Sequence, residues 1–173
     1  MMRLWKGLAA LAAGSLGVGL SAVPAASAAA GLPGDAESVI PAVSSTGRYV
    51  VFQSNADNLV PGGPSPFWQI MIRDVVAGTT RLVSASADGR RGNGDSFVPS
   101  VSADGRFVTF QSTADNLVAG TGEEGGHVFR KDMRTGAVIA IDVRPAAAAS
   151  DGPWSARMSG DGQRIVFTTY AKG

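Results

Sequence analysis

The feature that most constrains this 173-residue chain is an internal repeat. The segment PAVSSTGRYVVFQSNADNLV begins at Pro41, the segment PSVSADGRFVTFQSTADNLV begins at Pro99, and the two agree at 14 of 20 positions without a gap. A poorer third copy, ARMSGDGQRIVFTTYAKG, begins at Ala156. Repetition at a long fixed period is typical of proteins in which one unit buries its apolar faces against its neighbours. The period here is 58 residues between the first two copies.

Each copy predicts antiparallel strands. Asp104-Gly105 and Asp161-Gly162 lie between apolar runs and predict tight hairpins, while the first copy keeps Gly47 at this place. The strand after each turn is apolar on both faces, so it is expected to lie between two layers. The shared aromatics Phe52, Phe110 and Phe167 are expected to be buried at matching depth.

Further strands follow in each copy. Gln69–Asp74 and His127–Asp132 are strand-like, and each leads into a D-x-x-x-G turn and another short strand. Four up-and-down strands in a repeating unit, with no helical period, predict the blade of a β-propeller. The residues that define the repeat are Gly47, Phe52, Asp74, Gly78, Asp104, Gly105, Phe110, Asp132, Gly136, Asp161, Gly162 and Phe167.

The predicted fold class is therefore all-β, with two complete four-stranded propeller blades and the start of a third in an open arc. The predicted divisions are residues 1–28 as a signal peptide, 29–37 as a flexible lead-in, 38–98 as the first blade, 99–156 as the second, and 157–173 as the start of the third. Two blades and part of a third are too few for a closed ring. We expect a fragment of a longer protein, in preference to an assembly with other chains or an unstable truncated product.

The S-x-D-G-[RQ]-x-[IV]-x-F core and the D-x-x-x-G turn resemble the WD-repeat-like propeller units of TolB-like proteins. The 58-residue form with A-D-N-L-V resembles a secreted bacterial subgroup. The resemblance extends from about residue 38 to the C-terminus and implies a propeller that binds another protein or a cell-envelope component. In that subgroup an Asp/Asn-rich loop follows A-D-N-L-V, whereas here the loops are PGGPSP (61–66) and AGTGEE (119–124). This departure counts against a cation site.

The N-terminus indicates export. Arg3 and Lys6 precede the apolar stretch Leu8–Val23, and Ala26-Ser27-Ala28 supplies small residues for cleavage, as in a secretory signal peptide. The alternative is a membrane anchor, but glycines and Pro24 interrupt the stretch and no basic residues flank it on the C-terminal side. No stable membrane span is expected after cleavage. Since the chain has no cysteine, disulfides, thiolate metal sites and lipidation at an N-terminal cysteine are excluded.

The paired residues Asp57-Asn58 and Asp115-Asn116 are the recurring polar motif. Their oxygens could serve as ligands for Ca²⁺, the one cofactor that the sequence suggests. Asp and Asn also close turns by accepting hydrogen bonds from nearby backbone N–H groups, and the Leu and Val after each pair can pack beneath the blade. Because a repeat keeps what every unit needs for folding, the turn is favoured and no cofactor is expected.

Two other polar sets have alternative interpretations. Asp74 and Asp132, preceded by Arg73 and Lys131, could form a charged ring around a central channel; the favoured interpretation is that each Asp starts a turn and each basic residue faces solvent. His127, the single histidine, corresponds to Gln69 in the first copy, which suggests an exposed polar position. The chain has no G-x-S-x-G motif, so no catalytic residue is predicted.

The loops that differ most between copies are the expected binding surface. They carry Phe67, Trp68, Glu123 and Glu124, whereas Trp154 lies at a non-equivalent position and indicates packing of its own. Asn93-Gly94 and Asp151-Gly152 are predicted turns between blades. A net charge of +1 without a basic stripe argues against nucleic acid as a partner.

The sequence therefore predicts a secreted, non-enzymatic propeller, or the N-terminal fragment of one, that binds a protein or an envelope component. Self-association through the unpaired face of a blade is a further expectation. The alternative function is the propeller part of a longer secreted hydrolase or peptidase whose catalytic domain lies beyond residue 173.

Overall fold

The structure, a computed structural model, describes residues 33–121, 126–141 and 155–168. These residues form strands and turns, and none of them belongs to a helix that could cross a membrane. The strands are β1 (Ser38–Val43), β2 (Tyr49–Ser54), β3 (Gln69–Asp74), β4 (Thr79–Leu82), β5 (Ser96–Val101), β6 (Phe107–Ser112), β7 (His127–Asp132), β8 (Val138–Ala140), β9 (Ser155–Met158) and β10 (Ile165–Thr168).

The strands form three antiparallel sheets in chain order: β1-β2-β3-β4, β5-β6-β7-β8 and the pair β9-β10. We call them blade 1, blade 2 and blade 3. None of the sheets closes on itself, so the predicted open arc of propeller blades is confirmed. The first strand of each blade lies innermost, since β5 contacts β1 and β2 on one side and β9 on the other. The sequence-based boundaries at 98/99 and 156/157 fall inside β5 and β9. They were placed where the residues of the copies begin to match, which is after those strands have begun.

The innermost strands carry a matching irregularity. Pairing slips between Val39 and Ala42 in β1 and between Phe97 and Ser100 in β5. The residue before each proline at this place has a positive φ, 49° for Ile40 and 48° for Val98. A β-branched residue rarely adopts this conformation, so the bulge is a strained feature that both blades share.

The blades stack face to face. Residues alternate along a strand, so Tyr49, Val51 and Gln53 share the face of β2 that meets blade 2, and Val108 and Phe110 share the face of β6 that meets blade 1. Phe110 lies 5.7 Å from Phe129, centroid to centroid, at the centre of this interface. The buried cluster spans both blades and contains Val51, Ile70, Ile72, Val83, Val101, Val108, Phe110, Ala114, Leu117, Phe129 and Met133.

The expectation of equal depth for the shared aromatics is wrong for the first two copies. Phe110 is fully buried, whereas Phe52 is half-buried. The two rings occupy the same place in their sheets, but Phe52 faces away from blade 2, where no described residues cover it. The side chain of Phe167, in β10, lies outside the described part of the structure. Burial therefore depends on the place of a blade in the stack as well as on its sequence.

An aromatic ring of one blade lies on the hairpin glycine of the next. A Cβ built on Gly105 would lie 2.4 Å from the ring of Tyr49, and one on Gly162 would lie 2.5 Å from the ring of Phe107. Both glycines also have positive φ, 70° and 71°, which other residues rarely adopt. Gly47 has the same conformation with nothing within 4 Å, because no described blade precedes it.

Lys131 fastens blade 2 to blade 1. The residue is 6% exposed, and its Nζ donates hydrogen bonds to the backbone oxygens of Ala85 and Ser86, at 2.8 and 3.0 Å. Burial, together with the charge of Arg81, lowers the pKa of the lysine. The expectation that this residue faces solvent is therefore wrong: it lies on the face of β7 that meets blade 1, whose carbonyls replace water. Its counterpart Arg73 is half-buried and donates to Thr80 Oγ1 at 3.1 Å.

Asp74 and Asp132 close the β3–β4 and β7–β8 turns and pair with arginine. Asp74 Oδ1 accepts the N–H groups of Val76 and Ala77, both at 3.0 Å, and its Oδ2 lies 2.8 Å from Arg48 Nη2. Asp132 pairs with Arg106 Nη2 at 2.9 Å. The arginine and the backbone N–H groups lower the pKa of each carboxyl to about 2. Since β3 and β7 are not the innermost strands, these carboxylates do not surround a central channel.

We expect the substitution Gly105→Ala to destabilise the protein by about 3 kcal/mol, because the new methyl group would enter the Tyr49 ring and the backbone would keep a positive φ. Gly47→Ala is the matched control, and it should cost about 1 kcal/mol, from φ alone. Urea unfolding followed by circular dichroism measures both. Equal losses for the two variants would contradict the ring-on-glycine contact.

The carboxyl of Asp132 should make stability depend on acid. A carboxyl whose folded pKa is lowered stabilises the fold above its unfolded pKa and loses that effect as pH falls through the folded pKa. The deficit of Asp132→Asn relative to the native chain should therefore be full at pH 7 and should shrink between about pH 5 and pH 2. Chemical denaturation at several pH values tests this. The control Asp88→Asn removes an exposed pair and should change stability less, whereas a constant Asp132→Asn deficit down to pH 2 would refute the assignment.

Candidate binding face

The long connections of both complete blades lie at one edge of the sheets. Because neighbouring strands run in opposite directions, the β2–β3 and β6–β7 connections (55–68 and 113–126) lie at one edge, and the β1–β2 and β3–β4 turns with their blade 2 counterparts lie at the other. We call these the loop edge and the turn edge. The predicted binding residues Phe67 and Trp68 belong to the loop edge, whereas Glu123 and Glu124 lie outside the described residues.

In blade 1 the Asp-Asn pair ties the loop to the segment before β1. Asn58 Oδ1 accepts the N–H of Asp35 at 3.2 Å, and its Nδ2 donates to the oxygen of Pro33 at 3.0 Å. Asp35 Oδ1 accepts the N–H of Asp57 at 2.9 Å, and Asp57 Oδ1 accepts the N–H of Ser65 at 2.9 Å. Residues 33–35, which the sequence analysis assigned to a flexible lead-in, thus bond to the loop of blade 1.

Blade 2 repeats the arrangement with Asn93 in place of Asp35. Asn116 Oδ1 accepts the N–H of Asn93 at 3.0 Å, and its Nδ2 donates to the oxygen of Arg91 at 2.9 Å. Asn93 Nδ2 donates to Asp115 Oδ1 at 2.6 Å, and Asn93 Oδ1 accepts the N–H of Asp115 at 3.1 Å. Side-chain oxygens bonded in this way hold a turn. In the described ranges, no three His, Asp or Glu side chains form a group suited to a metal ion.

Serine pairs fix the base of each loop. Ser96 Oγ donates to Ser112 Oγ at 2.9 Å, Ser112 Oγ donates to the oxygen of Asp95 at 3.1 Å, and the N–H of Ala114 donates to Ser112 Oγ at 3.1 Å. In blade 1, Ser38 and Ser54 make the same contacts at 3.0 and 2.9 Å. Each loop therefore starts from a serine that is bonded to the beginning of the innermost strand.

Two hydrogen bonds from the start of blade 2 hold the backbone at the end of the blade 1 loop. The N–H of Trp68 donates to Asp95 Oδ1 at 2.8 Å, and the N–H of Ser96 donates to the oxygen of Trp68 at 2.8 Å. The N–H of Phe67 bonds to Ser65 Oγ at 3.3 Å. The side chains of Phe67 and Trp68 are half-buried. Two aromatic side chains, one of them the amphipathic indole of Trp68, thus lie at the loop edge on a bonded backbone.

His127 and Gln69 are not the exposed polar pair that the sequence suggested. Gln69 is 1% exposed, accepts a hydrogen bond from Ser84 Oγ at 2.6 Å and donates to the oxygen of Gly92 at 3.1 Å. His127 is half-buried, and its ring meets that of Phe129 edge-on at 6.1 Å. The expectation failed because a polar side chain can be buried when the adjoining connection supplies partners.

The sequence predicted a turn at Asn93-Gly94, where Asn93 bonds to Asp115 and Asn116, but the contacts of Asp35 and Asp95 at the loop edge were not predicted. Asp35 and Asn93 lie 58 residues apart, as Gly34 and Gly92 do. The repeat therefore begins several residues before Pro41 and Pro99, where most of the identical residues begin. Asp95 gave no signal, because its partner is a backbone N–H in another blade. The predicted turn at Asp151-Gly152, and Trp154, lie outside the described residues.

No protein-family model matches the sequence, and no curated protein does. Solved structures do show similarity. One is a protein assigned as TolB from Agrobacterium tumefaciens, with 20% identity and a TM-score of 0.50, which aligns with 78% of this chain and 39% of its own. Another is TolB from Acinetobacter baumannii, with 15% identity and a TM-score of 0.30 over 80% of this chain and 39% of its own.

A third similar structure is dipeptidyl peptidase 4 from Porphyromonas gingivalis, with 15% identity. Its TM-score is 0.47, over 78% of this chain and 22% of its own. This chain thus spans about two fifths of the Agrobacterium protein, at 39%. At this identity the similarity establishes the TolB-like propeller fold and leaves function to be argued from the residues.

Millimolar Ca²⁺ should leave the melting temperature of the protein unchanged, because the oxygens of Asp57, Asn58, Asp115 and Asn116 already accept hydrogen bonds from this chain. Differential scanning calorimetry with CaCl₂ and with EDTA measures this. Mg²⁺ at the same ionic strength is the control for screening. A rise of several degrees with Ca²⁺ alone would instead identify the Asp-Asn turns as cation sites.

Proposed function

We propose that this protein is an exported, non-enzymatic β-propeller scaffold, whole or as part of a longer chain, whose loop edge binds a protein or a cell-envelope component. The observation that carries the proposal is the contrast between the copies. Strands, hairpin glycines and the Asp-Asn and Ser contacts repeat in blades 1 and 2, while the connections 61–68 and 119–126 differ. Variable loops on a rigid scaffold are where recognition usually lies.

The side chains at the loop edge support binding over catalysis. The recurring polar groups, Asp57, Asn58, Asp115 and Asn116, hydrogen bond within the chain and hold the loops in shape. The groups left to meet a partner include Phe67, whose N–H bonds to Ser65 Oγ in the same loop, and Trp68, whose N–H and carbonyl bond to the start of blade 2. Large aromatic side chains on a fixed backbone bind with little loss of conformational entropy, which is why they are enriched at protein interfaces.

Export is the second part of the proposal. The basic start at Arg3 and Lys6, the apolar stretch and the Ala26-Ser27-Ala28 site support secretion through cleavage after Ala28. The similarity to the Agrobacterium structure named TolB agrees with a scaffold of the TolB-like kind. Self-association through the outer face of blade 1 belongs to the same proposal, because Phe52 on that face is only half-buried and Gly47 has no described residue within 4 Å of where its Cβ would lie.

Site-specific photo-crosslinking tests the proposed function. The full chain is expressed in a bacterium with a photoreactive phenylalanine analogue at position 67, and the N-terminus of the secreted product is determined by mass spectrometry. We expect a mature chain that starts at Ala29 and a discrete crosslinked species with an envelope component. The matched control carries the analogue at Ala87, an exposed residue on the connection between blades.

Three results would count against the proposal. Retention of residues 1–28 in the cell-associated product would contradict export. Identical crosslinked species from positions 67 and 87 would show that the loop edge is not selective. In the third, Trp68→Tyr, which keeps an aromatic ring, should retain the species crosslinked from position 67, and Trp68→Ser should lose it. Equal behaviour of these two variants would contradict aromatic recognition.

A further inference from the structure

A second candidate site lies at the turn edge, at the opposite end of the sheets from the loop edge. A cleft of about 490 Å³ opens there between blades 1 and 2. Tyr49, Ile72 and Met133 form its apolar floor, and Arg81 and Arg134 lie on its walls. Tyr49 is the residue whose ring covers Gly105, so the floor belongs to the rigid contact between blades.

On the opposite face of blade 2, the face that meets blade 3, lies a cleft of about 160 Å³ that is lined by blade 2 residues, most of them at positions equivalent to those of the first cleft. Phe107 corresponds to Tyr49, Arg130 to Ile72 and Ile139 to Arg81, each 58 residues apart. The guanidinium of Arg130 lies 4.8 Å from the centroid of the Phe107 ring, and its Nη1 donates to the oxygen of Gly162 at 3.4 Å. In this cleft the protein therefore places its own cation over the aromatic floor.

In the larger cleft Ile72 stands where Arg130 does, so the Tyr49 ring keeps only the guanidinium of Arg48, 5.1 Å from its centroid and paired with Asp74, and the other cations, Arg81 and Arg134, stand on the walls. Within the described ranges the ion pairs join Arg48 to Asp74, Arg90 to Asp88 and Arg106 to Asp132. Arg81 and Arg134 take part in none of these pairs. Arg81 is held in place by the hydrogen bond from its Nη2 to the oxygen of Met133, at 2.6 Å. One guanidinium is thus oriented without a carboxylate partner.

The acidic groups of the cleft are occupied by internal partners. Asp74 is paired with Arg48 and caps its own turn. Asp104 Oδ1 accepts hydrogen bonds from Ser102 Oγ at 2.6 Å and from the N–H of Arg106 at 3.0 Å. Hydrogen bonds from neutral donors leave the charge of Asp104 in place, so among the described residues of the cleft two arginines without a carboxylate partner, Arg81 and Arg134, stand against one carboxylate without an arginine partner, and the balance is positive.

From this arrangement we propose that the cleft between blades 1 and 2 binds an acidic peptide segment, with a carboxylate on Arg81 and Arg134 and an apolar side chain on Tyr49 and Ile72. A guanidinium and a carboxylate form strong, directional hydrogen bonds, and the apolar floor removes a neighbouring side chain from water. The site is independent of the loop edge, because the two lie at opposite ends of the strands.

Fluorescence anisotropy tests the proposal with the full chain and a labelled peptide of alternating Glu and Leu. We expect saturable binding that weakens with salt, and at least tenfold weaker binding of the matched peptide with Gln in place of Glu. Arg81→Ile, which installs the residue found in the smaller cleft, should weaken binding about tenfold. Ile72→Arg should abolish binding, because a guanidinium would lie over Tyr49 as Arg130 lies over Phe107.

Arg164→Gln is the control: it removes an exposed arginine of blade 3 and should leave peptide binding unchanged. Circular dichroism establishes that each variant keeps its strands, and Arg134→Gln provides a second, exposed substitution that should preserve the fold and weaken binding. Equal affinity for the Glu and Gln peptides, unchanged affinity in both arginine variants, or full binding by folded Ile72→Arg would each overturn the proposal.

Discussion

The rest of the structure depends on the contact between an aromatic ring of one blade and the hairpin glycine of the next. A single four-stranded sheet that is apolar on both faces cannot bury them alone. The distance and the register between neighbouring sheets are set by two contacts, Tyr49 over Gly105 and Phe107 over Gly162. Any side chain on the glycine would push the sheets apart. Once this spacing is fixed, Phe110 can lie against Phe129 in the interior and Lys131 can reach the carbonyls of blade 1.

The ring-on-glycine contact lies at the turn edge, so the two edges of the sheets are built differently. At the turn edge the hairpin backbone of one blade lies against the ring of the neighbouring blade. The hairpins there are short, and their carboxylates are paired with arginine or with backbone N–H groups. At the loop edge the Asp-Asn and Ser contacts anchor each connection at its base, and the sequence beyond the anchor is free to differ. Function in such a scaffold is expected where the backbone is held and the side chains are not required for folding.

The sequence predicted what every blade needs and missed what depends on neighbours. β3 and β7 follow the predicted limits, and the hairpin glycines have the expected positive φ, because each unit requires them. The half-exposed Phe52 depends on its place in the stack. Lys131 was assigned to solvent from its residue type, although the carbonyls that hold it come from a connection more than forty residues earlier. The contacts of Asp35 were missed, because a carboxylate there fills the place that the amide of Asn93 takes in blade 2, and the match between the two was not recognised.

A repeat provides its own comparison, since equivalent positions share a backbone and differ in side chain. Tyr49 and Phe107 both preserve the ring that folding requires. Ile72 against Arg130, and Arg81 against Ile139, exchange apolar and cationic side chains at two neighbouring positions of the same face. Each ring has the arginine that precedes it close by, Arg48 or Arg106, but a second cation, Arg130, lies over Phe107 only, whereas Arg81 stands at the wall beside Tyr49. Both arrangements are compatible with the same stacking of blades. Folding therefore does not dictate where the charge lies, and the open cleft with its outward cation is the arrangement that leaves room for a ligand.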